Sequence, residues 1–165
     1  MPMTGVNELA AALPFKLRIL FSLLFATGDR APMDRGIVRG VWEKRGSYQA
    51  TLSRRSQLIN EMEQFLAEWD AWLCPVSATP AFTHRDTGAS IPVDGEEVPY
   101  MLAAGGYTSI FNLTGNPVVV LPMAHSAQGL PIGVQVVGSR WEDMQLLAVA
   151  EAVAEVTGGY RKPPQ

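Results

Sequence analysis

The sequence is poor in residues that build disulfides and metal sites, with one cysteine and two histidines among 165 residues. A single cysteine, Cys74, permits no disulfide within the chain and no cysteine-rich zinc site. His84 and His125 lack a second histidine or cysteine at the short spacing that zinc ligands need. We therefore expect no metal and no cofactor, and the free thiol predicts a reducing, cytoplasmic compartment.

Excess positive charge is also lacking, since the net charge is −3 and the isoelectric point is near 5.4. This balance excludes the basic surface of a nucleic-acid-binding protein. The uncharged run from Ile19 to Thr27 is about half of the roughly 20 residues that a bilayer span needs, so no membrane partner is expected. Residues 13–26 instead predict a helix with protein on more than one side.

Two helices are predicted from apolar spacing. Leu58, Met62, Phe65 and Trp69 recur at the intervals of an amphipathic helix, which predicts a helix over 44–68. Near the C-terminus, Ser139 and Glu142 have the spacing of a capping box, and a helix is expected over 140–157.

Between these helices the composition changes to prolines, glycines and short β-branched runs, which is typical of strands and turns. Strands are predicted near 72–76, 117–121 and 132–138. The short connection from Pro122 to Pro131 indicates that the last two form an antiparallel hairpin. Residues 83–98, polar and rich in turn formers, predict one long surface loop.

Some residues that could carry chemistry also have plain structural interpretations. Cys74, His84 and Asp86 supply the residue types of a cysteine hydrolase. However, Cys74 lies in the apolar run WLCPV, where burial makes a thiol unreactive, and we favour a core thiol. His125 is expected to cap or solvate the hairpin turn, since a catalytic base needs positioned partners.

Three sequence segments occur in a characteristic order. They are DAWLCPVSATPAFTH from Asp70, PYMLAAGGYTSIFNLTGNPVVVLPM from Pro99, and GLPIGVQVVGSRWEDMQLLAVAEAVAE from Gly129. Together they resemble the C-terminal third of an amidase signature enzyme. The resemblance runs from about Tyr48 to Pro164. It suggests a single domain or fragment over 1–165, with an N-terminal helical segment at 1–43 and the best-matched region at 44–165.

The resemblance implies an α/β fold, with helices packed on a small mixed sheet that includes an antiparallel hairpin. It also implies hydrolysis of a carboxamide C–N bond through a serine acyl-enzyme, with a second serine and a lysine as the proton relay. The family places those groups in a Gly-Ser-Ser-Gly region and upstream of it. This sequence has no such stretch, and its lysines are Lys16, Lys44 and Lys162. We therefore assign no catalytic residue and expect the chain to be inactive alone.

By the same resemblance, the C-terminal third supplies scaffold and one wall of the acyl pocket. The candidate pocket residues are Tyr107, Thr108, Phe111, Asn112 and Trp141. The structural alternative stays open, in which Phe111 is core and Asn112 fixes a turn. In the glutaminyl-tRNA amidotransferase branch, an acidic residue that grips the substrate ammonium stands three positions before the matched threonine. Here that position is Gly105, which disfavours free glutamine and suits an apolar or aryl carboxamide.

The expected partners are the missing N-terminal amidase portion and a small-molecule amide in the complete enzyme. Self-association is also expected, because strand edges and apolar helix faces of a partial fold need to be covered. The alternative function is a non-enzymatic binding or assembly module derived from the amidase fold. A Gly-Ser-Ser-Gly stretch with an upstream lysine, on the same or another chain, would distinguish the two.

Overall fold

The computed structural model describes residues 45–86, 88–160 and 162. Within these residues the elements are, in chain order, α1 (Arg45–Leu66), β1 (Trp72–Pro75), β2 (Ile91–Val93), β3 (Glu96–Val98), α2 (Tyr100–Gly105), α3 (Ser109–Thr114), β4 (Val118–His125), β5 (Pro131–Val137) and α4 (Asp143–Thr157). The segment predicted over 1–43, including the helix expected at 13–26, lies outside the described residues.

Three strands form a sheet in the order β1-β5-β4, with β5 in the centre. Val137 of β5 lies opposite Trp72 of β1 and Val118 of β4, and both pairings are antiparallel. The three predicted strands and the β4–β5 hairpin are confirmed, and so is the α/β class. The described part of the sheet is antiparallel throughout, where a mixed sheet was expected, because β1 as well as β4 runs antiparallel to the central strand β5.

The C-terminal end of the central strand β5 is buried on both faces, as its β-branched sequence requires. Val136 and Val137 point to opposite faces, and both are fully buried. On one side, a cluster of buried residues joins α1, β1, α3 and β5; its members are Met62, Leu66, Cys74, Phe111 and Val137. On the other side, α4 packs across β4 and β5 through buried Leu146 and Ala150.

The close packing of α4 on the sheet depends on Gly138, directly after β5. A Cβ atom at this position would lie 3.1 Å from Cβ of Leu146 and 3.2 Å from its Cδ1. Such distances are tighter than ordinary carbon contacts. Gly138 therefore lets the helix approach the end of the strand.

Residues 83–98 were predicted to be one surface loop, and this is wrong for the second half of the segment. β2 and β3 pair as an antiparallel hairpin, with Ile91 opposite Val98. Asp94 and Gly95 form its two-residue turn with φ angles of 50° and 87°. Two successive positive φ angles are the geometry of a type I′ turn, for which Asp-Gly is a preferred pair.

The capping box expected at Ser139 and Glu142 does not form. Glu142 itself occupies the cap position, without a side-chain hydrogen bond, and α4 begins at Asp143. The reason is local, since Trp141 has a φ of 70° and a helix cannot pass through that backbone conformation. The predicted helix over 140–157 is otherwise confirmed.

Candidate substrate-pocket wall

The turn between α2 and α3 carries two of the candidate pocket residues, Tyr107 and Thr108. The Gly105 carbonyl accepts hydrogen bonds from Thr108 Oγ1 at 3.3 Å and from Ser109 Oγ at 2.6 Å. These bonds hold the two hydroxyl groups against the turn while leaving their lone pairs as acceptors. The Tyr107 side chain is 45% exposed and lies beside them in sequence. The turn thus presents neutral polar groups and no charge.

Gln135 fixes this turn to the sheet. Its side-chain nitrogen donates to the carbonyl of Pro75 at 2.7 Å and lies 3.4 Å from the carbonyl of Tyr107. A second anchor joins α2 to the chain after β1, where Ala78 N donates to the Ala103 carbonyl at 3.0 Å. Sequence reasoning missed Gln135, although a polar residue in the middle of the apolar run PIGVQVV is the signal that could have identified it.

Phe111 lies behind the turn rather than on its surface. It is only 4% exposed and packs edge-to-face on Trp72, with ring centroids 5.7 Å apart. Trp72 makes a second edge-to-face contact with Phe65 of α1 at 5.6 Å. The three rings connect α1, β1 and α3, so that Phe111 is part of the core.

The other two candidates lie apart from Tyr107 and Phe111. Asn112 is exposed on α3, next to Phe111. Trp141 follows the end of β5, is 84% exposed, and has the Arg140 guanidinium over its ring at 5.3 Å. Tyr107, by contrast, contacts the middle of β5 through Gln135. The structure therefore groups Tyr107, Thr108, Phe111 and Asn112 on α3 and the turn before it, and does not bring Trp141 to that turn.

A partly buried group of hydrogen bonds joins the helix α1 to the segments that precede β4 and α4. Asn116 donates to Glu63 Oε1 at 2.8 Å and to the Gly138 carbonyl at 3.0 Å. The same carboxylate accepts from the backbone N–H of Arg140 at 3.2 Å. Because Asn116 follows α3 and Arg140 precedes α4, Glu63 fixes both segments relative to α1.

Cys74 is a core thiol, as the sequence favoured. It lies in the buried cluster, and its Sγ is 3.5 Å from the side-chain nitrogen of Gln135. Burial raises the pKa of the Cys74 thiol, and the hydrogen bond from Gln135 opposes this in part. His84 and Asp86 line an open surface hollow with Arg85 and Ala89. The structure does not assemble a cysteine–histidine–aspartate triad among these residues.

The raised pKa predicts how Cys74 responds to alkaline pH. The folded state holds the thiol proton more tightly than the unfolded chain does. The contribution of this proton to the free energy of unfolding is therefore fully present below the ordinary thiol pKa of 9.0. It is lost as pH rises through and above that value. We expect the stability difference between the wild type and Cys74→Ala to shrink at alkaline pH, measured by urea unfolding across pH 7 to about 10. A difference that stays constant over this range would contradict the prediction.

Across residues 45–86, 88–160 and 162, no group of three or more His, Cys, Asp or Glu side chains is placed to hold a metal ion. In the same part of the chain, no helix combines the length and the hydropathy of a membrane span.

The family model for the amidases matches residues 30–147, which is more than half of the chain. The chain therefore belongs to the amidase family, and the predicted resemblance is confirmed. A glutamyl-tRNA(Gln) amidotransferase subunit from Oceanobacillus iheyensis is 26% identical over 152 residues, which cover 88% of this chain and 30% of that protein. Fatty-acid amide hydrolase 2-A of Danio rerio is 46% identical over 57 residues, covering 34% of this chain and 11% of that protein.

A solved amidase crystal structure superposes with a TM-score of 0.63 at 27% sequence identity, covering 78% of this chain and 29% of that one. The described elements thus adopt part of the amidase fold. The chain spans between 11% and 30% of the length of the two curated relatives given above.

Proposed function

We propose that this chain is the C-terminal portion of an amidase that hydrolyses a carboxamide C–N bond through a serine acyl-enzyme. The observation that carries the proposal is the family match over residues 30–147, in a chain that spans less than a third of its curated relatives. In the reaction, a serine Oγ attacks the amide carbon and the amine leaves with the proton relayed from that serine. Water then hydrolyses the ester and regenerates the hydroxyl group.

The catalytic groups in this proposal come from the N-terminal amidase portion, on a longer chain or on a second one. That portion would bring the Gly-Ser-Ser-Gly stretch and the lysine base, which this sequence does not contain. Without a nucleophile, a base and oxyanion donors, a pocket wall offers only weak binding. The chain alone is therefore inactive in this proposal. The assembled enzyme works in the cytoplasm, where a free thiol such as Cys74 stays reduced.

The role of this portion is to support and line the acyl pocket. Tyr107, Thr108 and Asn112 contact the acyl group, and Phe111 packs behind them. Three facts support this: the turn is anchored to the sheet through Gln135, it carries neutral polar groups, and Gly105 stands where a charged residue would select an ammonium group. An uncharged wall favours an apolar or aryl carboxamide over free glutamine. Trp141 remains a candidate for the pocket mouth, which residues outside this chain would complete.

The test is reconstitution. The purified chain is assayed alone and after co-expression with the N-terminal portion of a homologous amidase, against aryl, aliphatic and glutamine carboxamides. We expect hydrolysis of aryl and apolar amides only in the assembled enzyme, with a fluorophosphonate probe labelling the N-terminal portion and not this chain. In that enzyme, Tyr107→Ala should raise KM about tenfold or more, whereas Tyr100→Ala, at a comparably exposed position on α2, should not.

Two outcomes would contradict the proposal. Turnover that follows the isolated chain through a sizing column would show that it is active alone, and Cys74→Ala would then test whether the thiol carries the activity. An assembled complex that labels with the probe but cleaves no carboxamide would contradict amide hydrolysis.

A further inference from the structure

The outer face of α4 carries an apolar ridge that nothing in the described part of the chain covers. Its inner face packs on the sheet, as described above. On the outer face, Met144, Ala148, Ala152 and Val156 follow one another at intervals of four residues and are all exposed. Met144 is 78% exposed and Val156 is 88% exposed. Residues four apart form a continuous ridge on a helix, the kind that packs into the groove of a second helix.

A second row beside this ridge carries two acidic residues. Leu147 is followed along it by Glu151 and Glu155, and all three are exposed. Within the residues that the structure describes, neither glutamate forms a side-chain hydrogen bond or an ion pair. The helix contains no lysine or arginine, since its sequence is DMQLLAVAEAVAEVT. The outer face therefore combines an apolar ridge with two adjacent glutamates that have no partner among the described residues.

We propose that the outer face of α4 docks a cationic amphipathic helix of a partner polypeptide. The partner's apolar side would lie along the ridge from Met144 to Val156, and its Lys or Arg side chains would face Glu151 and Glu155. The small side chains of Ala148 and Ala152 allow close approach in the middle of the ridge, between the larger residues at its ends. An exposed apolar row with polar residues beside it is typical of an interaction site. The proposal is independent of amide hydrolysis.

The absence of basic residues from α4 argues against a second copy of this chain as the partner on its outer face. A second α4 has no basic residue to offer to the two glutamates. An antiparallel pair about a two-fold axis through the ridge would also place Glu151 against Glu151 of the other copy. Like charges so placed weaken an interface, whereas a cationic partner turns both glutamates into ion pairs. The self-association expected from the sequence would therefore use other surfaces.

The experiment measures binding of two designed helical peptides to the purified full chain by titration calorimetry at low and high salt. Both peptides have the same apolar ridge, and one carries lysines in the adjacent row where the other carries glutamates. We expect the lysine peptide to bind more tightly, with an affinity that falls as salt rises. The double variant Glu151→Lys/Glu155→Lys should bind the lysine peptide about tenfold more weakly, since two exposed ion pairs contribute an affinity of that order. The same variant should bind the glutamate peptide more tightly.

Two further variants separate the ridge from general charge effects. Val156→Lys interrupts the apolar ridge and should abolish binding of the lysine peptide. Glu61→Lys/Glu68→Lys makes the same change of charge at exposed positions on and just after α1 and should leave binding within about twofold. Circular dichroism confirms that each variant keeps its helix content. Equal binding of the two peptides, or binding of neither, would overturn the proposal. So would a dimer of the wild-type chain that Val156→Lys dissolves, because a second copy would then cover the ridge.

Discussion

Replacing Phe111 by alanine is expected to destabilise the chain by about 3–5 kcal/mol, the usual cost of removing a buried phenylalanine ring. The ring is 4% exposed and belongs to the cluster that joins α1, β1, α3 and β5. Its loss also removes the edge-to-face contact with Trp72, because alanine offers no ring at the 5.7 Å centroid distance. A loss of this size is comparable to much of the net stability of a small domain.

The control for this prediction is Tyr107→Ala, four residues earlier. Tyr107 is 45% exposed, and it is the backbone carbonyl, which alanine retains, that lies near Gln135. We expect a loss below about 1 kcal/mol, as for most substitutions outside the core. Urea unfolding followed by circular dichroism measures both variants. If the two losses were equal, the assignment of Phe111 to the core and of Tyr107 to the surface of the preceding turn would be incorrect.

The elements that the sequence predicted well are those with long-range regularity. The helix expected over 44–68 is observed as Arg45–Leu66, and the strands expected at 72–76 and 132–138 are observed within one residue at each end. Apolar spacing identifies such elements because burial against a core requires it. The prediction of β4 ends at 121, before Pro122, since a proline usually limits a strand, and it is too short. The strand continues to His125 through a register shift between Pro122 and Ala124, and a proline on the outer strand of the described sheet costs little pairing.

What sequence reasoning missed depends on local backbone geometry or on single contacts. The β2–β3 hairpin was missed although Asp94-Gly95 is a strong turn pair, because Pro92 and the acidic residues of β3 argue against strands. The short helices α2 and α3 contain six residues each, too few to show a period. The interruption at Trp141 could not be predicted, since a positive φ is unusual for a bulky residue.

The sequence predicts which segment carries the candidate site, but not which residues of that segment are exposed. Tyr107, Thr108, Phe111 and Asn112 were selected together by their position in the family's motifs. Motif position does not separate a residue on the surface from one behind it, and the structure makes Phe111 a core residue. Trp141, chosen by the same reasoning, lies beyond the end of β5. The anchoring role of Gln135 needs the pairing of β1 with β5, which brings Cys74 opposite Gln135.

Gly105, the last residue of α2, and Gly106, which follows it, are expected to differ in how substitution by alanine changes the stability of the chain. At Gly106, an added Cβ would lie 2.5 Å from the Leu102 carbonyl oxygen, a distance that requires the backbone to move. That oxygen also accepts the Gly106 N–H hydrogen bond, which ends α2. At Gly105, an added Cβ would lie 3.6 Å from Ser109 Oγ, an ordinary contact. We therefore expect Gly106→Ala to destabilise the chain by about 1–3 kcal/mol.

Gly105→Ala is the matched control, because it adds the same methyl group one residue earlier, inside α2. Alanine in a helix is favoured over glycine by up to about 1 kcal/mol, so this variant should be neutral or slightly more stable. Urea unfolding gives the sign of each change. In an assembled enzyme, the displacement at Gly106 would also move Tyr107 and Thr108, so kcat/KM should fall for Gly106→Ala. If Gly106→Ala were as stable as Gly105→Ala, the turn would be free to move, and it could not act as a preorganised wall.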